Sequence, residues 1–249
     1  DLDQKKAGQV GFWLDEHGIK SLDRLIDGYK QTERADAHLA VEKIIDVGLS
    51  EPFADVLSGI VRALPSIAVQ LDKSAPMIQI NAEGFRVREP YQSLINNVFT
   101  HLLRNCLDHG IEKNSVRSDK NKPIVGRIGL SVQCDGDIVT MHLEDDGEGL
   151  DLQTLFNRGV NLGLWLQDDA INYNTLADLI FKSGITTKNE VTDISGRGVG
   201  MDAVKQFLQQ VDGDIVLVLA EEGDYTAEQG EVFIAFEQHI NLPESFFVY

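Results

Sequence analysis

The sequence has few basic residues for its size. Its 249 residues include 22 lysines and arginines against 40 aspartates and glutamates, which gives a formal net charge of −18. Negative charge in this excess repels polyanions, so nucleic acid and anionic membrane surfaces are excluded as main partners of this chain. It also means that any bound anion must be held by local groups, such as backbone amides, a metal ion or a few basic side chains.

Cysteine and long apolar segments are also scarce. The two cysteines, Cys106 and Cys134, stand at a spacing that matches no metal-binding motif, so each is predicted to be a small core residue in a reducing compartment. No apolar run approaches the roughly 18 residues of a membrane-spanning helix, and no signal peptide is recognisable. The chain opens at Asp1 without a methionine, which indicates a piece excised from a longer protein.

The remaining composition is that of a globular protein, with 43% hydrophobic and 25% charged residues. Residues 1–52 show helical periodicity without a chemical motif, and we predict a helical N-terminal segment that serves as an input or a dimerisation element. A main domain is predicted over residues 53–249. Its first helix is expected to start with Ser50 as N-cap and Pro52 in the first turn, and Pro65 is expected to end or kink it.

Short segments of period-two alternation predict the strands of the main domain. They cover residues 77–80, 85–87, 127–133, 137–144, 214–220 and 231–237. Asp135 and Gly136 give a hairpin turn signal between the third and fourth segments. Residues 112–122 are predicted to form a polar, charged loop, and residues 221–230 an acidic, solvated one.

The most unusual stretch is residues 101–112, HLLRNCLDHGIE, which is predicted to be helical as far as about His109. His101, Asn105, Asp108 and His109 then fall at i, i+4, i+7 and i+8 and share one face, while the other face is apolar. Such a set of side chains suits a metal, a phosphate or proton transfer, although a surface helix with scattered polar residues is an equal alternative. The glycine after His109 is expected to be the helix C-cap.

Two further stretches combine charge with glycine. Residues 144–151, EDDGEGLD, end a predicted strand, and residues 195–202, SGRGVGMD, precede a predicted helix. Glycines permit sharp turns and close approach to a ligand, and the amides at a helix N-terminus favour anions. The first stretch is also typical of an ordinary turn between strands.

The three stretches, in this order, resemble the N, G1 and G2 boxes of the ATPase superfamily that joins histidine kinases, gyrase, the mismatch-repair ATPases and a heat-shock chaperone. The amino acids in and around the three boxes are similar to those of the chemotaxis-type, CheA-like sensor kinases. The resemblance covers roughly residues 55–220. It implies an α/β two-layer sandwich, with a mixed sheet and helices on one face, and it implies ATP and Mg²⁺ as cofactors.

The resemblance assigns roles to five residues of the first two stretches. Asp145 stands where the family has its adenine-binding carboxylate, which accepts a hydrogen bond from the exocyclic amine of adenine and would face an oxygen in guanine. Gly147 and Gly149 let the chain lie against the base. Asn105 matches the Mg²⁺ ligand of the family, because an amide oxygen suits a hard cation. Asp108 is expected to contact the residues that bind the nucleotide and the metal ion, and not to be a metal ligand itself.

His101 marks a difference within the superfamily. Many relatives outside the chemotaxis branch have a glutamate here as the general base that activates water, whereas the chemotaxis-type kinases have histidine. The histidine favours phosphoryl transfer to a protein over fast hydrolysis, with His101 orienting the reacting groups or accepting a proton. Arg104 and His109 are candidate phosphate contacts, and a plain surface position for Arg104 is equally plausible.

The third stretch and the segment before it are expected to surround the triphosphate. Thr186 and Thr187 resemble part of the F box of the family's flexible lid, although Ser183 and Ile185 stand where the branch has proline and phenylalanine. Trp165 is expected to pack inside the protein and not to stack on adenine. The predicted phosphate-binding residues are Ser195, Gly196, Arg197, Gly198, Val199, Gly200 and Met201.

These features predict the ATP-binding catalytic domain of a two-component sensor histidine kinase. The resemblance implies transfer of the γ-phosphoryl to a histidine on another domain or protein, and onward to a response regulator, because His17 and His38 lack a phosphoacceptor context. The N-terminal helices are a candidate homodimer contact. Two alternatives stay open: a nucleotide-gated binding module with little kinase activity, and an ATP-hydrolysing conformational machine. The expected location is the cytoplasm, either alone or as the cytoplasmic part of a larger membrane-associated sensor.

Overall fold

A computed structural model describes residues 46–182 and 200–249 of the chain. The predicted helices before residue 46 lie outside the described residues, as do most of the predicted lid, with Thr186 and Thr187, and residues 195–199 of the phosphate stretch. Within the described ranges, no helix is both long enough and apolar enough to cross a membrane.

The described residues contain both strands and helices. The strands are β1 (Ser50–Pro52), β2 (Met77–Asn81), β3 (Arg86–Arg88), β4 (Arg127–Asp135), β5 (Ile138–Asp145), β6 (Leu150–Asp151), β7 (Ile171–Asn172), β8 (Asp214–Leu219), β9 (Asp224–Tyr225), β10 (Phe233–Ile234), β11 (Phe236–Pro243) and β12 (Phe247–Val248). The α-helices are α1 (Phe53–Val56), α2 (Ser58–Gln70), α3 (Glu89–Asn105), α4 (Asn114–Asp119), α5 (Leu152–Asn161), α6 (Tyr173–Ala177) and α7 (Met201–Gln209). A π-helix, Cys106–Gly110, continues α3.

A mixed five-stranded sheet forms one layer of the domain, in the order β2-β4-β5-β11-β8. Strand β2 is parallel to β4, and the other neighbours are antiparallel. The predicted hairpin between β4 and β5 is confirmed, and Gly136 in its turn has a φ of 61°, a backbone conformation that favours glycine. Along both strands alternate residues are buried, so one face of the sheet points into the core.

The core lies between this face of the sheet and helices α2, α3 and α7. Leu64 of α2, Phe99 and Leu102 of α3 and Leu208 of α7 are fully buried there. The sheet contributes Ile128, Leu130, Val132, Val139, Met141, Leu143, Ile215, Ile240 and Leu242. Full burial of one leucine side chain stabilises the fold by roughly 1.5–3 kcal/mol. The architecture is the predicted α/β two-layer sandwich with a mixed sheet and helices on one face.

A smaller apolar cluster is built by α5, α6 and the strand pairs β6–β10 and β7–β9. The fully buried Phe156 and Tyr225 pack in it, and Trp165 joins them, with its indole Nε1 donating to the Phe156 carbonyl at 2.9 Å. Trp165 therefore packs within the protein, as predicted. The expectation of a solvated loop at residues 221–230 is wrong, because this segment contains β9 and buries Tyr225.

The predicted start of the first helix is wrong, because a short strand occupies the residues predicted to begin it. Residues Ser50–Pro52 form strand β1, which pairs with β3, and the helix begins after them at Phe53. The Ser50 hydroxyl accepts a hydrogen bond from Arg86 Nε at 3.0 Å, so it links two strands and caps no helix. Pro65 lies inside α2, which continues past it and does not end there.

Residues 112–122, predicted to be a polar loop, contain helix α4 and the fully buried side chain of Arg117. The Arg117 guanidinium donates to Glu112 Oε2 at 2.8 Å and to Asp146 Oδ2 at 2.9 Å. Lys122 Nζ adds a bond of 2.8 Å to Glu112 Oε1. Charged groups can leave water here because each one finds a partner of opposite sign.

The same contacts set the ionisation of Glu112. Burial opposes its negative charge, but hydrogen bonds from Lys122 and Arg117 outweigh burial and lower the pKa of the carboxyl. A carboxyl with a depressed pKa stabilises the fold above its unfolded pKa, and this stability is lost as the pH falls through the folded value. At neutral pH the ion pairs therefore tie α4 to the segment after β5.

Replacement of Arg117 by methionine is expected to lower the free energy of unfolding, because Asp146 and Glu112 lose the cation that they share. We expect a loss of about 3 kcal/mol in urea denaturation, the low end for a broken buried pair because Lys122 still contacts Glu112. Arg62→Met, at an exposed position of α2, is the matched control and should change stability by less than about 0.5 kcal/mol. Equal stability of the two variants would contradict a structural role for Arg117.

Candidate functional site

Helix α3 positions the first group of predicted site residues. It follows β3 directly, has a proline in its first turn, where a missing amide costs no hydrogen bond, and buries one apolar side in the core. It ends at Asn105, and the π-helix takes over. The predicted helical extent to about His109 is confirmed, but the turn after Asn105 is a π-helix and not an α-helix. Only His101 and Asn105 of the predicted polar face keep their i, i+4 relation within an α-helix.

The π-helix brings Gly110 against the predicted adenine-binding residue. A Cβ on Gly110 would lie 2.5 Å from both carboxylate oxygens of Asp145, and a Cβ on Gly147 would lie 2.1 Å from the Gly110 carbonyl oxygen. The Glu148 amide donates to the same carbonyl at 3.0 Å. Gly110 is therefore not the predicted C-cap, a position held by Ile111. A glycine is needed here because the Asp145 carboxylate occupies the space that a Cβ would take.

Asp145 ends strand β5 with its carboxylate mostly out of water. Burial raises the pKa of this carboxyl above its ordinary value, while the Gly147 amide, which donates to Oδ1 at 2.9 Å, acts in the opposite direction. Burial also raises the pKa of the neighbouring Cys106 thiol, and the Asp145 charge adds to that effect, so the thiol stays neutral. A desolvated carboxylate gains strongly from a ligand that donates hydrogen bonds, such as an amino group.

The turn after Asp145 is fixed from two sides. Gly149 has a φ of 86°, and a Cβ there would lie 2.6 Å from the Ile234 carbonyl oxygen of β10. On the other side, Lys122 Nζ donates to the Gly147 carbonyl at 2.6 Å, and Arg117 holds Asp146. Sequence reasoning missed both basic residues, since charges between residues 112 and 122 looked like solvent-exposed ones.

The start of helix α7 lies beside the end of α3. Gly200 is the N-cap of α7 and has an extended backbone, and Met201 is the first residue of the helix. The helix predicted after Gly200 is confirmed. Asn105 Nδ2 contacts Met201 Sδ at 3.1 Å, which joins the two helices. Amides at a helix N-terminus carry partial positive charge, so this junction favours an anion next to Asn105. Residues 195–199 of the predicted phosphate stretch fall outside the described ranges.

Next to Asn105 lie three further predicted site residues. Arg104 and Asp108 form an ion pair, with 3.2 Å between Nε and Oδ2, and the other carboxylate oxygen of Asp108 is buried without a hydrogen-bond partner among the described residues. Burial, and secondarily the positive charge of Arg104, lower the pKa of His101. Its imidazole is therefore neutral at neutral pH and can accept a proton. His109 lies in the π-helix, directly before the glycine that touches Asp145.

Lys73 is a further residue of the site region that sequence reasoning missed. Its Nζ donates to the carbonyl oxygens of Leu107 at 2.6 Å and of Asp108 at 3.1 Å, so it satisfies two acceptors of the π-helix. Lys73 is 34 residues before Leu107 and belongs to no motif. No local pattern could have indicated this contact.

The part of the chain that contains these site residues is similar in sequence to known proteins. Residues 91–240 match the family described as histidine kinase-, DNA gyrase B-, and HSP90-like ATPase. The chain is 30% identical to the chemotaxis protein CheA of Halobacterium salinarum over 87% of this chain and 31% of that protein. It is 34% identical to the CheA of Salmonella typhimurium over 66% of this chain and 24% of that protein. For the sensor histidine kinase CheAY of Helicobacter pylori, the identity is 32% over 78% of this chain and 24% of that protein.

The chain spans about a quarter to a third of the length of these curated relatives. Among solved structures, the catalytic domain of the histidine kinase ThkA is 11% identical, with a TM-score of 0.46, over 78% of this chain and 93% of that chain. The resemblance to the chemotaxis-type kinases, predicted from the three stretches, is confirmed by the identities. The chain belongs to the family of histidine kinase-, DNA gyrase B- and HSP90-like ATPases.

Proposed function

We propose that this chain binds Mg²⁺-ATP and transfers its γ-phosphoryl group to a histidine on another domain or protein, as the catalytic domain of a CheA-like two-component sensor kinase. The observation that carries the proposal is the partly desolvated carboxylate of Asp145, which lies against Gly110 and Gly147 where neither position has room for a Cβ. A desolvated anionic group needs a hydrogen-bond donor. The exocyclic amine of adenine supplies one, whereas the oxygen of guanine at that place would repel the carboxylate.

Asn105 is the residue proposed to bind Mg²⁺. Its carboxamide nitrogen is engaged by Met201 Sδ, so the oxygen is the atom for a hard cation, and the phosphates and water complete the coordination. The unpartnered buried oxygen of Asp108 is an acceptor for a water molecule of the ion. These residues fit the metal that the family implies. When bound, Mg²⁺ neutralises charge on the phosphates.

The chemistry proposed for the protein is positioning and charge stabilisation. His101, neutral because of its lowered pKa, orients the reacting groups or accepts a proton, and Arg104 and His109 are candidate contacts of the phosphates. The N-terminus of α7, with Gly200 and Met201, offers amides to the phosphates. Residues 195–199, together with Thr186 and Thr187 of the lid, stay predicted parts of this site.

The proposal extends to partners that the chain itself does not contain. The relatives named above are chemotaxis proteins and a sensor histidine kinase, which favours transfer to a histidine-bearing phosphoacceptor domain and then to a response regulator. The histidine at position 101 favours the same conclusion over a hydrolysing machine. A homodimer through the predicted N-terminal helices and a cytoplasmic location complete the proposed setting.

The transfer itself can be tested with γ-labelled ATP. The chain is expected to label itself poorly and to label a purified histidine phosphotransfer domain of a chemotaxis kinase with acid-labile phosphate. Release of free phosphate without labelled acceptor would favour the hydrolysing machine. Nucleotide binding with neither product would favour the nucleotide-gated module. Stoichiometric phosphohistidine at His17 or His38 would contradict the acceptor lying on another domain or protein.

Asp145→Asn is expected to weaken ATP binding, because the amide nitrogen of asparagine donates where the adenine amine also donates. The loss of one charge-assisted hydrogen bond corresponds to roughly 10- to 100-fold in Kd, measured by calorimetric titration. Glu144→Gln is the matched control, since Glu144 is the preceding residue, is exposed and points to the other face of the sheet. Equal affinities of both variants would remove Asp145 from the adenine site.

Asn105→Ala is expected to leave weak nucleotide binding that no longer responds to Mg²⁺, because the proposed protein ligand of the ion is gone. ATP titrations with Mg²⁺ and with a chelator measure the response. Asn97→Ala, on the exposed side of the same helix, controls for the change in helix propensity and should keep the full Mg²⁺ response. If Mg²⁺ strengthens binding equally in both variants, another residue binds the ion.

A further inference from the structure

The face of the sheet that points away from the helices carries a second group of chemistry-bearing side chains. Glu237 and His239 are two residues apart on β11, so they lie on the same face. His142 of β5 is directly opposite His239 in the antiparallel register. All three side chains are half-buried, and none of them takes part in the proposed nucleotide site.

Three ligand atoms converge in this cluster. His142 Nδ1 lies 3.1 Å from His239 Nε2, which lies 3.0 Å from Glu237 Oε2. The third distance, between His142 Nδ1 and Glu237 Oε2, is 3.8 Å. The centroids of the imidazole rings are 4.2 Å apart and the ring planes make an angle of 70°, so the rings meet edge to face and are not stacked.

Hydrogen bonds alone do not satisfy this arrangement when both imidazoles are neutral. If His239 Nε2 carries a proton, that single proton faces two acceptors, Glu237 Oε2 and His142 Nδ1. If instead His142 Nδ1 carries the proton and donates to His239 Nε2, the lone pair of Nε2 is used and Glu237 Oε2 faces it as a second acceptor. In each case two lone pairs share a single proton, whereas a cation at the meeting point would accept an electron pair from all three atoms.

We propose that His142, Glu237 and His239 form a binding site for Zn²⁺ on the outer face of the sheet. Zn²⁺ binds imidazole nitrogen and carboxylate oxygen at about 2.0–2.2 Å, and tetrahedral ligands at that distance stand about 3.3 Å apart. The three separations of 3.0, 3.1 and 3.8 Å bracket this value. Two imidazoles also favour zinc over Mg²⁺ or Ca²⁺, which take oxygen ligands.

A polar groove of about 350 Å³ borders the cluster at His142 and Glu237. Ser131, Gln133 and Glu144 line it together with His142 and Glu237, and Gly129 keeps its floor free of a side chain. A water molecule from this groove can complete the tetrahedron. The ion would join β5 to β11, the two central neighbours of the sheet, in addition to their backbone hydrogen bonds.

This site is independent of the proposed function. Met141 and Leu143, on either side of His142 in β5, are fully buried on the helix-facing side, and Asp145 belongs to that side as well. Zinc and nucleotide therefore use opposite faces of one strand. Removal of the zinc ligands is expected to leave ATP affinity within about twofold of the unaltered chain, which separates failure of this proposal from failure of the proposed function.

The test is metal binding by the untagged full chain, with Zn²⁺ measured by equilibrium dialysis and Co²⁺ used as a spectroscopic probe of tetrahedral nitrogen and oxygen ligands. One equivalent is expected, with the strong visible absorption of four-coordinate Co²⁺ and a higher melting temperature with Zn²⁺. His239→Gln and Glu237→Gln should each weaken Zn²⁺ at least about tenfold and abolish the Co²⁺ bands. Thr140→Val is the matched control, because Thr140 bonds Asn241 on the same face and the same two strands.

Circular dichroism establishes that each variant is folded, and Glu237, the most exposed of the three ligands, gives the variant with least structural effect. Full zinc binding and unchanged Co²⁺ bands in the folded Glu237→Gln and His239→Gln variants would overturn the proposal. Binding that ATP displaces, or that Thr140→Val loses equally, would also overturn it. Loss confined to the ligand variants, with ATP affinity preserved, is the result that supports it.

Discussion

The close approach of Gly110 to the carboxylate of Asp145 is the contact on which the proposed nucleotide site depends. The two residues lie 35 positions apart in the sequence, on a π-helix and at the end of a strand, and no side chain larger than hydrogen fits between them. The π-helix is needed because it lets the chain turn toward the strand while α3 keeps its apolar side in the core. The contact restricts where the Asp145 carboxylate can lie. Burial raises the pKa of this carboxyl, and its charged form is therefore stabilised by a hydrogen-bond donor.

Buried Arg117 and two half-buried lysines, Lys122 and Lys73, stabilise the segments that make this contact. In a chain with a net charge of −18, Arg117 and Lys122 are placed beneath the turn that follows β5, where they neutralise Glu112 and Asp146 and hold backbone carbonyls. Lys73 does the same for the carbonyls of the π-helix. The chain thus uses scarce basic residues inside its framework, and the contacts proposed for the phosphates are helix amides, a metal ion and few side chains. Each buried charge is tolerable only with its partners present, so these residues act as a unit.

The period of two along β5 separates the two kinds of chemistry on the chain. Inward residues of this strand build the core and lead to Asp145, while His142 and Glu144 point to the outer groove. A one-residue shift of register would exchange the two faces, so the apolar inward set that holds the core also fixes the outward set. The histidine pair across β5 and β11 exists because both strands present an outward residue at the same register position.

The sequence alone determined the fold class, the strands of the central hairpin, the helix after Gly200 and the family, because these depend on local periodicity and on short motifs. Through the resemblance to known boxes, it also predicts that His101, Asn105, Asp145 and the glycines belong to one site. Tertiary structure alone decided that the polar helix changes to a π-helix at Cys106, that the charged segment 112–122 is buried around Arg117, and that His142 meets His239. Contacts such as that of Lys73 join residues far apart in sequence. The physical reason is that burial and pairing of charge depend on which segments the fold brings together, and spacing along one segment carries no information about its neighbours.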